Sequence, residues 1–201
     1  MTKVIADISM SLDGYVNAPG ADQAHGLGVG GEAVHRWVLE QPRSRVDEAI
    51  LASGFEQTGA VVMGRRLYDV VDGPHGWNDE VGYGHDQDQA AAPPCYVLTH
   101  QPPSHVRLRT RFRFVTEGVA AAIDQARATA GDKNVVVMGG ANTIDQTLAA
   151  GLIDVLQIHL SPVILGAGTR LFDLVGPATL VQQQVIASPR ATHLTYQVER
   201  T

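Results

Sequence analysis

VVVMGGANTIDQTLAAGLID, residues 135–154, runs four apolar residues into two glycines and then into an amphipathic pattern that closes on Gly151, the position expected for a helix C-cap. The grammar is buried strand, bare backbone, helix. Gly139 and Gly140 leave no Cβ in the way, so a ligand can approach the main chain closely. The helix starting near Ala141 adds unpaired N–H groups and the positive end of its dipole, which together suit a phosphate or pyrophosphate. Asn142 and Thr143 are placed to add side-chain hydrogen bonds. A plainer reading stays open on this stretch alone: the glycines only relieve crowding in a tight turn, since G-G-A-N is neither the dinucleotide fingerprint nor a P-loop.

The same grammar occurs upstream. GAVVMG (59–64) is a second buried strand ending in glycine, and it runs into RRLYDVV, a short predicted helix. Gly64 there precedes Arg65 and Arg66, whose guanidinium groups suit a phosphate monoester or a pyrophosphate, or else are ordinary solvated charge. CYVLTH (95–100) supplies a third strand end, where Thr99 and His100 either meet the same phosphate or simply terminate the strand.

Strands are predicted at 3–9, 59–64, 95–100, 112–118 and 134–140. Helices alternate with them: two around 31–40 and 44–56 separated by Pro42, then one after Gly64, one over 117–132 with an acidic start, and one after Gly140. Such alternation predicts an α/β fold in three layers, a mostly parallel central sheet with helices on both faces and ligands at the carboxyl ends of the strands. DVLQIHLSPVIL, LVQQQVIAS and THLTYQVER read as strands separated by turns, an antiparallel completion of the sheet. Residues 72–94, rich in Gly, Pro and Asp, form a loop of a length that is usually functional or disordered. Its Trp77 and Tyr83 belong to a lid, or cover the core or a dimer surface.

Composition narrows the function. The 201 residues suit one domain over 1–201, and a net charge of −6 lacks the basic face that a nucleic-acid backbone requires. The single cysteine, Cys95, supports neither an internal disulfide nor a thiolate zinc site, and no apolar run is long enough for a membrane span, so a cytoplasmic protein is expected. The histidines and aspartates of the long loop have no metal-ligand spacing, and no metal is expected. His35 and His159 fall on a predicted helix and strand, the usual place of a structural histidine.

In chain order, ISMSLDGYV, VVMGRRLYD, YVLTH and VVVMGGANTIDQTLAAGLIDVLQIHLSPVILGAGTRLFD resemble the dihydrofolate reductase superfamily, in the branch related to the riboflavin-pathway pyrimidine reductase domain. The resemblance implies an NADPH-dependent reductase with a sheet of about eight strands, the last antiparallel. Carried over, Ala6 and Ser11 to Gly14 face the nicotinamide, Gly64, Arg65 and Arg66 hold phosphate, Thr99 and His100 lie near the adenosine ribose phosphate, and Gly139, Gly140, Ala141, Asn142 and Thr143 carry the pyrophosphate. It also implies a cis Gly139–Gly140 bond and a substrate pocket where Leu171 and Phe172 of GAGTRLF flank a planar ring, unless these two are core residues of a hairpin. Family members often pair, so a homodimer is expected.

The pattern departs from folate reductases at the acid of the first helix, for which Glu32 is the nearest candidate; it is equally a charge complementing a helix start. Asp13 of SLDG orients the carboxamide, positions water or assists proton delivery, or is the turn residue of an Asp-Gly pair. The expected activity is hydride transfer from NADPH to a small heteroaromatic substrate, pterin-like or pyrimidine-like. The alternatives are a stand-alone 5-amino-6-(5-phosphoribosylamino)uracil reductase and a non-catalytic nucleotide-binding module. The zinc deaminase of the bifunctional riboflavin protein needs a P-C-x-x-C motif that Cys95 alone does not provide.

Overall fold

The structure, a computed structural model, describes residues 2–199. Along the chain it places β1 (Val4–Ser11), β2 (Tyr15–Asn17), a 3-10 turn at Gly31–His35, α1 (Arg36–Leu39), α2 (Arg45–Gln57), β3 (Thr58–Gly64), α3 (Arg65–Val71), β4 (Cys95–Leu98), β5 (Phe112–Val115) and α4 (Val119–Ala130). There follow β6 (Asn134–Gly139), α5 (Ala141–Ala149), β7 (Val155–Ser161), β8 (Thr169–Arg170), β9 (Leu180–Ala187) and β10 (Thr192–Val198).

An eight-stranded sheet in the order β5-β4-β3-β6-β1-β7-β10-β9 forms the middle layer, and β2 pairs with β8 in a small separate ribbon. The expected α/β class is realised, with one correction. β7 pairs parallel with β1, from Ile5↔Val155 to Ser11↔Ser161, so only β10 and β9 are antiparallel additions. The reason is the crossover: α5 carries the chain from β6 over β1, so β7 enters the sheet in the same direction as its neighbour.

β3 and β6 read as unbroken apolar runs because both their faces are buried. On one face Ala60, Val62, Val135 and Val137 join the larger core with Ile123 of α4 and Ile144 of α5. On the other, Val61 and Met63 pack with Tyr68 of α3, Val97 and Phe112. Truncating a fully buried aliphatic such as Ile144 to Ala costs about 2–5 kcal/mol.

The 72–94 segment roofs this second core. Trp77 stacks on Phe112 at 6.2 Å between centroids and Tyr83 on Phe55 at 6.2 Å. The Tyr83 hydroxyl shares a 2.9 Å hydrogen bond with Thr58, and Arg43 pairs with Asp86 at 2.5 Å. Arg107 holds the carbonyls of Asp72 and Trp77. Two further expectations are corrected. The helix predicted around 31–40 is a 3-10 turn followed by a single α turn, which buries Val34 and Trp37. α4 has no acidic first turn, since Glu117 precedes the Gly118 cap and accepts the Thr116 N–H.

Candidate functional site

β1 and β6 pair only from Val4↔Val135 to Ala6↔Val137, yet β1 continues to Ser11 along β7 and β6 continues to Gly139 along β3. The two strands therefore part, and a cleft opens at their carboxyl ends, where open α/β sheets bind ligands. Ala6 is the last residue of β1 paired with β6 and is fully buried.

The Gly139–Gly140 bond is cis, as the resemblance implied. Gly139 has φ +115°, which residues with side chains rarely adopt, and a Cβ there would lie 3.3 Å from Ile8 Cδ1. A Cβ on Gly140 would meet nothing within 4 Å, so its backbone faces open space. In the first turn of α5, Gly140 O accepts from the N–H groups of Thr143 at 2.9 Å and Ile144 at 3.2 Å. Ala141 and Asn142 have N–H groups with no acceptor among the described residues. Two orphan donors at a helix N-terminus next to open space are groups of the kind that suit an anion. Asn142 is exposed and accepts from Gln146, whereas Thr143 is buried and its hydroxyl occupies the space a Cβ on Gly64 would need, at 2.3 Å. Gly64 is thus bare for the packing of α5.

Arg65 is committed within the protein. It donates to Asp69 at 2.7 Å and to Gln101 O at 2.8 Å and reaches Thr99 Oγ1 at 3.4 Å, tying the end of β3 to the end of β4. A groove of about 440 Å³ beside α3 is lined by Arg65, Tyr68, Asp72, His105 and Arg107. Arg66 and His100 are exposed, with no partner among the described residues, and are the groups available to an incoming phosphate.

Asp13 is a clamp. It accepts from Ser11 Oγ at 2.6 Å, Leu165 N at 3.1 Å and Gly166 N at 2.7 Å. The Ser11 hydrogen bond, helped by the two backbone donors, holds its carboxyl down at about 2. A carboxylate so occupied acts as an acceptor that ties the 11–14 turn to Leu165 and Gly166. Gly14, at φ +90°, completes the turn. Glu32 is exposed with no hydrogen-bond partner among the described residues, as a charge at the start of the 3-10 turn. Leu171 is a core residue, and Phe172 packs against that core with φ +72°, so neither is simply the wall of an open pocket.

Functional-looking residues that the sequence reading missed, Asp7, Asp47 and His193, lie on the other face of β1 together with His159, which was expected to be structural. Asp7 Oδ1 is 2.9 Å from His159 Nε2, His159 Nδ1 is 2.7 Å from His193 Nδ1, and His193 Nε2 is 3.0 Å from Asp47 Oδ1. Ser44 donates to Asp47 at 2.7 Å, and Trp37 lies against both imidazoles, 4.3 and 5.0 Å between centroids, while donating to Ser9. Burial works to raise the Asp47 carboxyl, but the bonds from Ser44, Ser188 and His193 outweigh it, and the net shift is downward. Burial, then the charge of His159, moves His193 downward. His35, in the 3-10 turn, is pushed down to about 4 by burial and then by His159, and its Nδ1 is buried without a partner among the described residues. The available signal was Asp7, Ser9 and Ser11 alternating with apolar residues in β1, facing His159 and Ser161 of β7 at the same period.

Comparison with known proteins gives the same architecture. The uncharacterized protein YyaP of Bacillus subtilis is 22% identical over 176 residues, 85% of this chain and 80% of its own length. A Shewanella sp. PV-4 protein named for riboflavin biosynthesis superposes with a TM-score of 0.71 at 22% identity, over the whole of both chains. Enterococcus faecalis dihydrofolate reductase, solved with NADP(H), gives 0.54 at 14% identity, over 98% of this chain and 97% of its own. Among the described residues no helix is long and apolar enough to cross a membrane. The RibD C-terminal domain description matches residues 2–194, and the chain belongs to that family.

Proposed function

We propose that the protein is an NADPH-dependent reductase that transfers hydride to a small heteroaromatic substrate, pterin-like or pyrimidine-like. The observation that carries this reading is the parting of β1 from β6 beside Gly140, whose backbone faces open space next to the unclaimed N–H groups of Ala141 and Asn142. These residues fit a dinucleotide. The two donors at the start of α5 hold the pyrophosphate, Arg66 and His100 take the phosphate on the adenosine ribose, and Ala6 and the 11–14 turn face the nicotinamide. Bound NADPH supplies a hydride, so the protein's part is orientation, exclusion of water and provision of a proton. Asp13 contributes by fixing the 11–14 turn against Leu165 and Gly166.

Membership of the RibD C-terminal domain family makes 5-amino-6-(5-phosphoribosylamino)uracil the first compound to try, with 7,8-dihydrofolate as the pterin. The test is fluorescence titration with NADPH, followed by cofactor oxidation with each compound. Saturable binding with turnover of either is the expected result. Saturable binding with no turnover would instead favour a nucleotide-binding module, and no binding at micromolar cofactor would defeat both readings.

A further inference from the structure

We infer that Asp7 is the proton donor of this reduction and draws on a proton shared along the Asp7–His159–His193–Asp47 chain; the inference rests on the reductase reading. Its three contacts, at 2.9, 2.7 and 3.0 Å, are each a hydrogen bond and so each holds one proton. Two carboxylates and two neutral imidazoles bring only two. The chain therefore carries one proton more and has net charge −1. With that proton removed, two lone pairs would face each other across one of the three contacts.

Access to the chain is one-sided. The Asp47 side chain is 0% exposed and that of His193 5%, and Trp37 covers the imidazoles, whereas the Asp7 side chain is 31% exposed. Asp7 is also the first residue of β1 past its last pairing with β6, at the mouth of the cleft. His35 feels the charges of His159 and Asp7, and its buried Nδ1 has no partner among the described residues. The other polar groups facing the chain are Tyr83, which feels the charge of Asp7, and Ser44 and Ser188, which donate to Asp47.

The step balances. The carbon of a C=N bond takes two electrons as hydride from reduced nicotinamide, which leaves as the pyridinium. The nitrogen takes a proton from Asp7, so the π bond is replaced by C–H and N–H bonds. The chain passes from −1 to −2 and regains one proton from water through Asp7.

Asp7→Asn keeps the size of the side chain and an oxygen to accept from His159 but has no proton to deliver. Single-turnover oxidation of NADPH by whichever of the two named compounds the wild type reduces should slow about 100-fold, with cofactor affinity unchanged. A readout without cofactor goes with it: in nitrogen-15 NMR of the full chain at one fixed pH, the ring nitrogens of His159 and His193 should report a proton shared between the two imidazoles, and in Asp7→Asn the signals of both should move together. If Asp7→Asn does not fold, Asp47→Asn at the sealed end should give the same joint shift and move the acid limb of the rate profile. Wild-type single-turnover rates in Asp7→Asn, or histidine ring signals that stay unmoved or respond separately in either variant, would overturn the proposal alone. Absence of turnover by the wild type would overturn the reductase reading and this proposal with it.

Discussion

Asp145, within α5, accepts the backbone N–H of Phe172 at 3.1 Å, and its second oxygen accepts that of Leu174, also at 3.1 Å. The helix that begins at the glycine pair therefore also fixes the turn after β8, and Asp13 grips the preceding stretch at Leu165 and Gly166. Two carboxylates far apart in sequence thus position one segment over the carboxyl end of the sheet. Asp145 is almost fully buried, so its loss leaves two N–H groups without partners. Asp145→Ala should cost about 3 kcal/mol in urea unfolding, and Asp145→Asn, which keeps one acceptor, about 1 kcal/mol. If the alanine variant lost less than the asparagine one, the turn would be held by other contacts.

The glycine pair, the Gly64–Arg65 junction and the strand-helix alternation were legible because each is a local pattern that one segment carries whole. The direction of β7 was not, since the strand reads the same whichever way it enters, and only α5 crossing over β1 decides it. The Asp7 chain was hidden for a related reason. Asp7 and Ser9, alternating with Ala6 and Ile8, look like the wet face of a strand, and only α2 and Trp37 packing over that face bury Ser9 and leave Asp7 half-buried. The partners come from β1, β7, β10 and α2, and no spacing within one segment links them.

Gly140 and Gly139 separate binding from folding. Gly140 has φ −66° and open space where a Cβ would go, so Gly140→Ala should leave thermal stability within about 0.5 kcal/mol of wild type. On the proposed reading the new methyl group would stand where the pyrophosphate lies, and it should weaken NADPH binding about 10-fold or more. Gly139→Ala, at φ +115°, should destabilise the fold itself. Unchanged NADPH affinity in a folded Gly140→Ala protein would move the pyrophosphate elsewhere.

Arg66, not Arg65, should discriminate between the two nicotinamide cofactors. Arg65 is held by Asp69 and Gln101, so Arg65→Ala should loosen the junction between β3 and β4 as well as any phosphate contact. Arg66 has no internal partner among the described residues, and Arg66→Ala should leave the unfolding midpoint unchanged. A charge-assisted bond to the ribose phosphate is worth about 1.5–3 kcal/mol, so NADPH affinity should fall about 10-fold or more while NADH affinity stays the same. Equal losses for both cofactors would place Arg66 on the pyrophosphate instead.

His35 predicts an acid limb in stability. Its folded-state value of about 4 lies below the ordinary 6.5, so the unfolded chain binds a proton that the folded one refuses. Stability then falls as pH drops from 6.5 towards 4, by up to about 3 kcal/mol from this group. The depressed carboxyl of Asp13 acts in a separate window, since its stabilisation is present above 3.8 and is lost as pH falls towards 2. Urea unfolding of the wild type and of His35→Gln at pH 7, 5.5 and 4.5 separates the two. The variant should lose much less stability across that range than the wild type, and identical slopes would mean that His35 is protonated in the fold at little cost.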